Sequence, residues 1–194
     1  MKKLIATSIL MSNILFADSQ VYMGILGGYI TESFSKPQDK STSSPMAKFQ
    51  IGYGELKGFA VQLGLIYNPN SKNIFANTAG SKDKEKYSLD VELIKAFDFG
   101  IGLYPFLKAG FGAGYFDTDI TYTNADGTFT QNKLNFSSYN GGAGFYYPLS
   151  EHFVLELGAT YKYISYERWD KSSTGEAAVD THAIYSYGGI NYRF

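Results

Sequence analysis

The sequence contains no cysteine, and it has only one tryptophan and five prolines among 194 residues. Without cysteine there is no disulfide framework, no thiolate metal site and no lipid-modified cysteine. No run of 18 or more apolar residues occurs, which argues against a helix that spans a bilayer. The formal net charge of -1 gives no indication of nucleic-acid binding. What the chain has instead is 17 Tyr, 15 Phe and 21 Gly, a composition that favours one domain of strands and turns.

The N-terminus has the pattern of a cleavable signal peptide. Lys2 and Lys3 precede an apolar stretch over residues 4–16, and Leu15-Phe16-Ala17 is a possible cleavage tripeptide, although Leu15 is bulkier than usual there. The apolar stretch is too short to span a bilayer. The alternative is an N-terminal helix of the folded domain. We predict a signal peptide over 1–17 and a single domain over 18–194.

Apolar and polar residues alternate with a period of two along the rest of the chain, which is the pattern of β-strands. Eight segments show it: 21–34, 47–54, 58–68, 86–97, 101–117, 134–147, 153–166 and 181–194. No helical pattern separates them, so the sequence predicts an all-β antiparallel meander.

The connections alternate between short and long. Short turns fall at 54–58, 98–100 and 148–152, whereas the segments 34–46, 69–85, 118–133 and 167–180 are long and polar. Outer-membrane barrels have short periplasmic turns and longer external loops. The sequence therefore predicts an eight-stranded transmembrane β-barrel with both termini in the periplasm.

Aromatic residues recur on one face of the strands at a spacing of eight. The pairs are Phe59 and Tyr67, Tyr139 and Tyr147, and Phe153 and Tyr161. At a rise of about 3.3 Å per residue and a tilt of about 40°, each pair spans about 20 Å along the membrane normal, close to the ~25 Å apolar band of such barrels.

The two faces of the strands differ in chemistry. The predicted outward face is apolar: Val21, Met23, Ile25, Phe49, Ile51, Leu63, Leu89, Val91, Leu93, Leu107, Phe111 and Leu157. The predicted inward face carries a lumen polar network with Lys48, Asp90, Glu92, Lys108, Glu156, Lys162 and Arg193, together with Gln50, Gln62 and many glycines. A secreted lipocalin-like barrel is the rival, but it would be apolar inside and polar outside.

The last strand ends in Ile190, Tyr192 and Phe194 at alternate positions. We expect these residues to face lipid at the periplasmic interface, on a strand that closes the barrel against the first strand.

The chain resembles the small eight-stranded outer-membrane barrels, the OmpA-barrel and OmpX-like group. The likeness lies in "VYMGILGGY", "PFLKAGFGAGY", "YNGGAGFYYPLSEHFVLELGATYKY" and the terminal "NYRF". It implies that Ile190, Tyr192 and Phe194 form the signal that the outer-membrane assembly machinery recognises. It also implies a monomer in contact with outer-membrane lipid and lipopolysaccharide. Because the chain stops at Phe194, we expect no periplasmic peptidoglycan-binding domain.

Two relatives of this group modify lipid A, and their motifs indicate which residues catalysis would need here. The deacylase type has a His-x-Ser motif near the external rim, but here Ile184 follows His182 at the position of the serine. The palmitoyltransferase type needs a histidine on the external side, and His152 falls in a short periplasmic turn. We therefore expect no enzyme, and no motif indicates a metal or a cofactor.

Two functions remain open from sequence. One is a structural or surface-interaction role, in adhesion, host-factor binding or lipopolysaccharide contact, through the external loops. The other is a small passive pore, which requires the luminal charges to line opposite walls around water rather than to pair. We predict that Lys108 pairs with Glu92 or Glu156. The stretch over residues 82–86 is Lys-rich and is either a lipopolysaccharide contact or a solvated loop of mixed charge.

Alternation continues beyond the membrane between the fifth and sixth segments. Ile120, Tyr122 and Phe129 keep the pattern, and Asp126-Gly127 is typical of a tight hairpin turn with Gly127 left-handed. This predicts a two-stranded ribbon above the outer leaflet that could bind an extracellular protein by β-augmentation. The alternative is a disordered external loop.

Overall fold

The computed structural model describes residues 19–34, 40–71, 84–124, 127–167 and 180–194; the predicted signal peptide over 1–17 lies outside them. Eight strands follow one another: β1 (Gln20–Phe34), β2 (Lys40–Gly54), β3 (Phe59–Ser71), β4 (Lys84–Ala96), β5 (Tyr104–Asn124), β6 (Gly127–Pro148), β7 (Phe153–Tyr166) and β8 (Asp180–Arg193). Within these ranges no helix has the length and apolar character needed to cross a membrane.

The strands form one closed barrel in chain order. Each strand pairs antiparallel with the next, and β8 pairs with β1 from Tyr22↔Arg193 to Phe34↔Thr181. The prediction of an eight-stranded antiparallel barrel, closed by its first and last strands, is confirmed. Closure pairs the main-chain groups that an open sheet would leave at its edges.

The two faces of the wall have opposite polarity. Outward side chains such as Ile25 and Phe111 are 70% and 58% exposed, whereas inward Gln50 and Glu156 are fully buried. This is the reverse of a lipocalin-like barrel, whose charged residues face water. An apolar exterior lowers the free energy in a bilayer, and many of the buried polar side chains pair with one another inside.

Strand β2 begins earlier than the sequence predicted. Residues 40–46 pair with β1, so only residues 35–39 connect the two strands, and the predicted long connection over 34–46 is wrong. Within this stretch Thr42 and Ser44 point inward and are buried. The described pairs between β2 and β3 begin at Ala47↔Tyr67, so Pro45 lies on a part of β2 where its missing N–H is tolerated.

The turn between β4 and β5 is longer than predicted, because β5 begins at Tyr104 rather than at 101. Gly100 and Gly102 have φ angles of 74° and 73°, a left-handed conformation that favours glycine and ends the strand pattern. The carboxylate of Asp98 accepts a hydrogen bond of 2.8 Å from the N–H of Gly100 and lies 3.0 Å from Lys57 Nζ. The turn is therefore held in one conformation.

Strands β5 and β6 extend past the other strands as a ribbon, as the alternation predicts. Their pairing continues from Ile120↔Gln131 to Asn124↔Gly127, after an irregularity between Asp117 and Ile120. Residues 125–126 lie outside the described residues. The predicted turn at Asp126 and the predicted left-handed conformation of Gly127 therefore stay predictions.

Candidate functional site

The centre of the lumen is organised around one carboxylate. Glu92, on β4, accepts from Lys48 Nζ of β2 at 2.6 Å and from Lys108 Nζ of β5 at 2.8 Å. Gln62 Nε2 of β3 donates to the same group at 2.8 Å. All four side chains are buried. The sequence predicted Glu92 or Glu156 as the partner of Lys108, and the structure places Lys108 with Glu92.

A second ion pair crosses the barrel at the next level. Lys162 Nζ of β7 lies 2.5 Å from Asp90 Oδ2 of β4, and the ammonium stands 4.7 Å from the centre of the Tyr185 ring. Strands β4 and β7 are not neighbours, so this pair spans the lumen. The ion pairs of Glu92 and of Asp90 are formed by residues that were predicted to belong to the lumen polar network.

Glu156 is held by amides rather than by a lysine. Gln50 Nε2 and Asn191 Nδ2 donate to its Oε2 at 2.7 and 2.8 Å, and Gln50 Nε2 also lies 2.7 Å from Asn191 Oδ1. These contacts link β2, β7 and β8 across the side of the lumen that faces the closing strands. The alternative pairing of Lys108 with Glu156 is not found among the described contacts.

A third ion-paired group lies towards the ribbon end of the barrel, and it was not predicted from sequence. Lys86 Nζ lies 2.8 Å from Glu32 Oε2, and Tyr166 and Thr181 donate to Glu32 Oε1 at 2.9 and 2.6 Å. Residue 86 was predicted both as the start of a strand and as part of the Lys-rich stretch 82–86. The strand is confirmed, and the interpretation of the stretch as an external loop is wrong for Lys86, which is only 3% exposed. The alternation along β4 could have predicted this position, because residue 86 is an even number of residues from the inward Asp90 and Glu92.

Arg193 lies at the short-turn end of the lumen polar network. Its Nη2 donates to the Gly54 carbonyl at 2.5 Å and its Nε to Gln20 Oε1 at 3.3 Å, while the guanidinium stands 5.3 Å from the centre of the Tyr22 ring. The contacts of the described residues give Arg193 hydrogen bonds but no ion pair. The side chain ties β8 to the ends of β1 and β2.

The three residues of the predicted assembly signal lie on the outer face at the same end. Ile190 and Phe194 are about half exposed, and the Tyr192 ring packs against those of Phe153 and Phe194 at 5.2 and 5.0 Å. The N–H of Phe194 donates to the Val21 carbonyl at 3.1 Å. Their position suits an aromatic girdle; their role as a signal stays a prediction.

Apolar layers alternate with the charged groups along the lumen. One cluster includes Leu26, Phe116, Leu134 and Ile164, and a second, nearer the short turns, includes Phe106 and Ile94. A luminal cavity beside Lys108 and Asp90 has a volume of about 10 Å³, as does one beside Arg193. Each is about the size of one water molecule. Around these two cavities the described luminal side chains leave little free space.

The two histidines lie outside the lumen. The ring of His182 is hydrogen-bonded to the Tyr161 hydroxyl on the outer face and packs 5.4 Å from Tyr163, and Ile184 beside it is exposed. His152, in the β6–β7 turn, has its Nδ1 3.0 Å from the Arg193 carbonyl. Over the described ranges no group of His, Asp and Glu is arranged to hold a metal ion.

The comparisons with known proteins agree with this architecture. The chain matches the family described as outer membrane protein beta-barrel domain over residues 4–194. No curated protein matches it.

Several solved structures are similar. Neisserial surface protein A is 15% identical, with a TM-score of 0.62 over 91% of this chain and 99% of that chain. The attachment invasion locus protein Ail of Yersinia pestis, in complex with the heparin analogue sucrose octasulfate, is 15% identical, with a TM-score of 0.49 over 90% and 99%. The N-terminal barrel of Pseudomonas aeruginosa OprF is 18% identical, with a TM-score of 0.43 over 91% and 100%.

The likeness to Neisserial surface protein A shows the fold, and the match over residues 4–194 shows the family. The closed barrel, its apolar exterior and its charged interior agree with both. The chain belongs to the outer-membrane β-barrel proteins, as one of their small eight-stranded members.

Proposed function

We propose that this protein is a non-enzymatic surface barrel whose role is structural or lies in interactions at its external end, rather than a pore. The observation that carries the proposal is the clamp of Lys48 and Lys108 on Glu92, which closes the centre of the lumen with buried, mutually satisfied charges. A passive pore would need these groups apart and hydrated.

The energetics favour a barrel that stays closed. Removing one member of a buried ion pair costs about 3–5 kcal/mol, because it leaves a charge without a partner in a poorly hydrated interior. Opening the lumen would break the contacts of Glu92 and of Asp90 together. The lumen therefore acts as a polar core that holds the strands in register.

We propose the following orientation. The mature chain begins at Asp18 after cleavage of residues 1–17, and both termini lie in the periplasm beside the short turns at 55–58 and 149–152. The β5–β6 ribbon then stands on the external side, since outer-membrane barrels have their longer connections there.

In this orientation the ribbon is the candidate interaction surface. The paired strands from Ile120↔Gln131 to Asn124↔Gly127 have no further strand beside them in the described part of the chain. Such a two-stranded ribbon offers main-chain groups to an added strand of an extracellular protein. Lipopolysaccharide is the other expected contact at this end.

The decisive experiment is conductance in planar bilayers with the mature protein. We expect no discrete conductance steps, with a porin of known conductance as the positive control. Reproducible steps from the folded, heat-modifiable protein would contradict the proposal and support the small pore.

A further inference from the structure

An apolar groove lies on the outside of the barrel beside the β4–β5 turn. It has a volume of about 550 Å³, and its lining is apolar, with Phe97 and Phe99 of the turn on one side and Phe145 and Leu157 on the other. This volume falls within the ~300–1,000 Å³ of typical ligand pockets. It contrasts with the filled lumen.

Strand pairing explains the depth of the groove. Leu107 of β5, Ala143 of β6 and Ala159 of β7 are direct neighbours in one row across the strands. The adjacent row contains the large side chains of Phe145 and Leu157, whereas the two small alanines leave the backbone of the barrel wall accessible. The missing side-chain volume forms the floor of the groove.

Two phenylalanine rings of the β4–β5 turn form the aromatic wall of the groove. The rings of Phe97 and Phe99 are nearly parallel, with an interplanar angle of 13° and centroids 6.3 Å apart. The turn that carries them is held by the contacts of Asp98 with Gly100 and Lys57 and by a 2.9 Å hydrogen bond from the N–H of Phe97 to the Pro105 carbonyl. These contacts hold the backbone that carries the two rings.

A cation lies on β4, next to the strand whose Leu107 lines the groove. Lys95 pairs directly with Leu107, and its ammonium lies 4.3 Å from the centre of the Phe59 ring and 6.0 Å from that of Phe97. It lies in an outward row between Phe59 of β3 and Leu107 of β5. An apolar slot with the ammonium of Lys95 on the neighbouring strand matches a lipid with an anionic headgroup.

We propose that the groove binds one acyl chain of a phospholipid, with Lys95 contacting its phosphate. The groove is continuous with the apolar belt of the barrel, so acyl chains are the molecules that surround it. In the orientation proposed above, on which the choice of phospholipid rests, this end of the barrel lies in the periplasmic leaflet. A second copy of the barrel fits less well, because it would bury Lys95 against outward faces of β6 and β7 that carry no carboxylate.

The test is native mass spectrometry of the folded protein extracted from vesicles of phosphatidylethanolamine and phosphatidylglycerol. We expect one phospholipid to stay bound after the loosely held lipids are removed. Ala143→Leu with Ala159→Leu fills the floor and should lower the retained fraction by at least about tenfold, the effect of losing about two buried methylene contacts. Lys95→Gln should weaken retention of phosphatidylglycerol.

The matched control is Ala47→Leu, the same change on the outward face of β2, away from the groove. It should leave retention unchanged, and a heat-dependent gel shift checks that every variant is folded. Equal retention by the wild type and the double variant would show an ordinary lipid annulus only and overturn the proposal. A dimer that the double variant loses would instead assign the groove to a second copy. Both leaflets of these vesicles contain phospholipid, so the result is independent of orientation and of conductance.

Discussion

Glu92 and Lys108 form an ion pair of 2.8 Å inside the barrel, and the second oxygen of the same carboxylate lies 2.6 Å from Lys48. One anion thus serves two cations from strands on either side of it. The arrangement is asymmetric, because Glu92 is the carboxylate that both lysines contact among the described residues. Loss of the anion removes both ion pairs, whereas loss of either lysine leaves one of them intact.

Glu92→Gln should therefore destabilise the barrel more than Lys108→Met. We expect a loss of about 3–5 kcal/mol for Glu92→Gln, because buried charges lose their partner. The measurement is urea unfolding in lipid vesicles, followed by the heat-dependent gel shift. Glu151→Gln, in an exposed turn, is the control and should stay within about 0.5 kcal/mol of the wild type. Equal effects of the Glu92 and Lys108 changes would contradict the shared-carboxylate interpretation.

Two adjacent glycines of β1 should respond in opposite ways to alanine. A Cβ on Gly28 would lie 2.0 Å from the Ser186 carbonyl oxygen, whereas a Cβ on Gly27 would meet nothing within 4 Å. Gly28→Ala should cost about 1–3 kcal/mol or more, since the β1–β8 backbone must shift. Gly27→Ala should be neutral or stabilising by up to about 1 kcal/mol. The same unfolding assay compares them, and a neutral Gly28→Ala would show that the strands are further apart than described.

The β4–β5 turn should show a defined pH dependence. The hydrogen bond from the Gly100 N–H, and then the contact with Lys57, lower the pKa of Asp98 below its usual value. A lowered pKa in the folded state means that the stabilisation is present above the unfolded pKa of about 3.9 and is lost as the pH falls through the folded pKa.

Asp98→Asn should accordingly be less stable than the wild type at pH 7, with the difference shrinking below pH of about 4. Lys57→Met should have the smaller effect, since the Gly100 hydrogen bond is the larger cause of the shift. Unfolding at both pH values tests this, and a difference that does not change with pH would exclude the Asp98 carboxylate as its source.

The proposed orientation can be tested with single cysteines, because the chain has none of its own. Thr128→Cys, in the ribbon, should react with a membrane-impermeant maleimide on intact cells. Ser150→Cys, in the β6–β7 turn, should react only after the outer membrane is permeabilised. The reverse pattern would place the termini outside.

The ribbon should protect its amides from exchange with solvent. Backbone pairing from Ile120↔Gln131 to Asn124↔Gly127 predicts slower exchange there than in an unpaired segment. Replacement of residues 120–131 by an Asn-Gly turn should leave the barrel folded, since β5 and β6 still pair from Tyr104↔Tyr146 to Asp117↔Lys133. Fast exchange throughout residues 120–124 would remove the ribbon as a candidate binding surface.

The number of strands and the residues on each face could be predicted from sequence. The wall separates lipid from a polar lumen, so alternate residues of each strand differ in polarity. The strand over residues 40–46 and the inward ion pair of Lys86 were not predicted. Near the ends of the strands the outward face is no longer apolar, so the two faces no longer differ in polarity. The contact of Lys108 with Glu92 joins adjacent strands and could be anticipated. The contacts of Lys48 with Glu92 and of Lys162 with Asp90 join strands that are not neighbours. They depend on the tilt and stagger of the closed barrel, which residue patterns do not fix.

The pairing of Tyr22 with Arg193 has a consequence for how this molecule forms. It brings together the first and last strands, so the sheet cannot be completed until the C-terminal strand is available. Contacts between such distant parts of a chain are slow to form, because the chain loses the entropy of loop closure before the hydrogen bonds between β1 and β8 can form. A nascent chain that ends before β8 has two unpaired strands at its margins, and it should depend on a chaperone or on the assembly machinery to keep those margins apart from other chains.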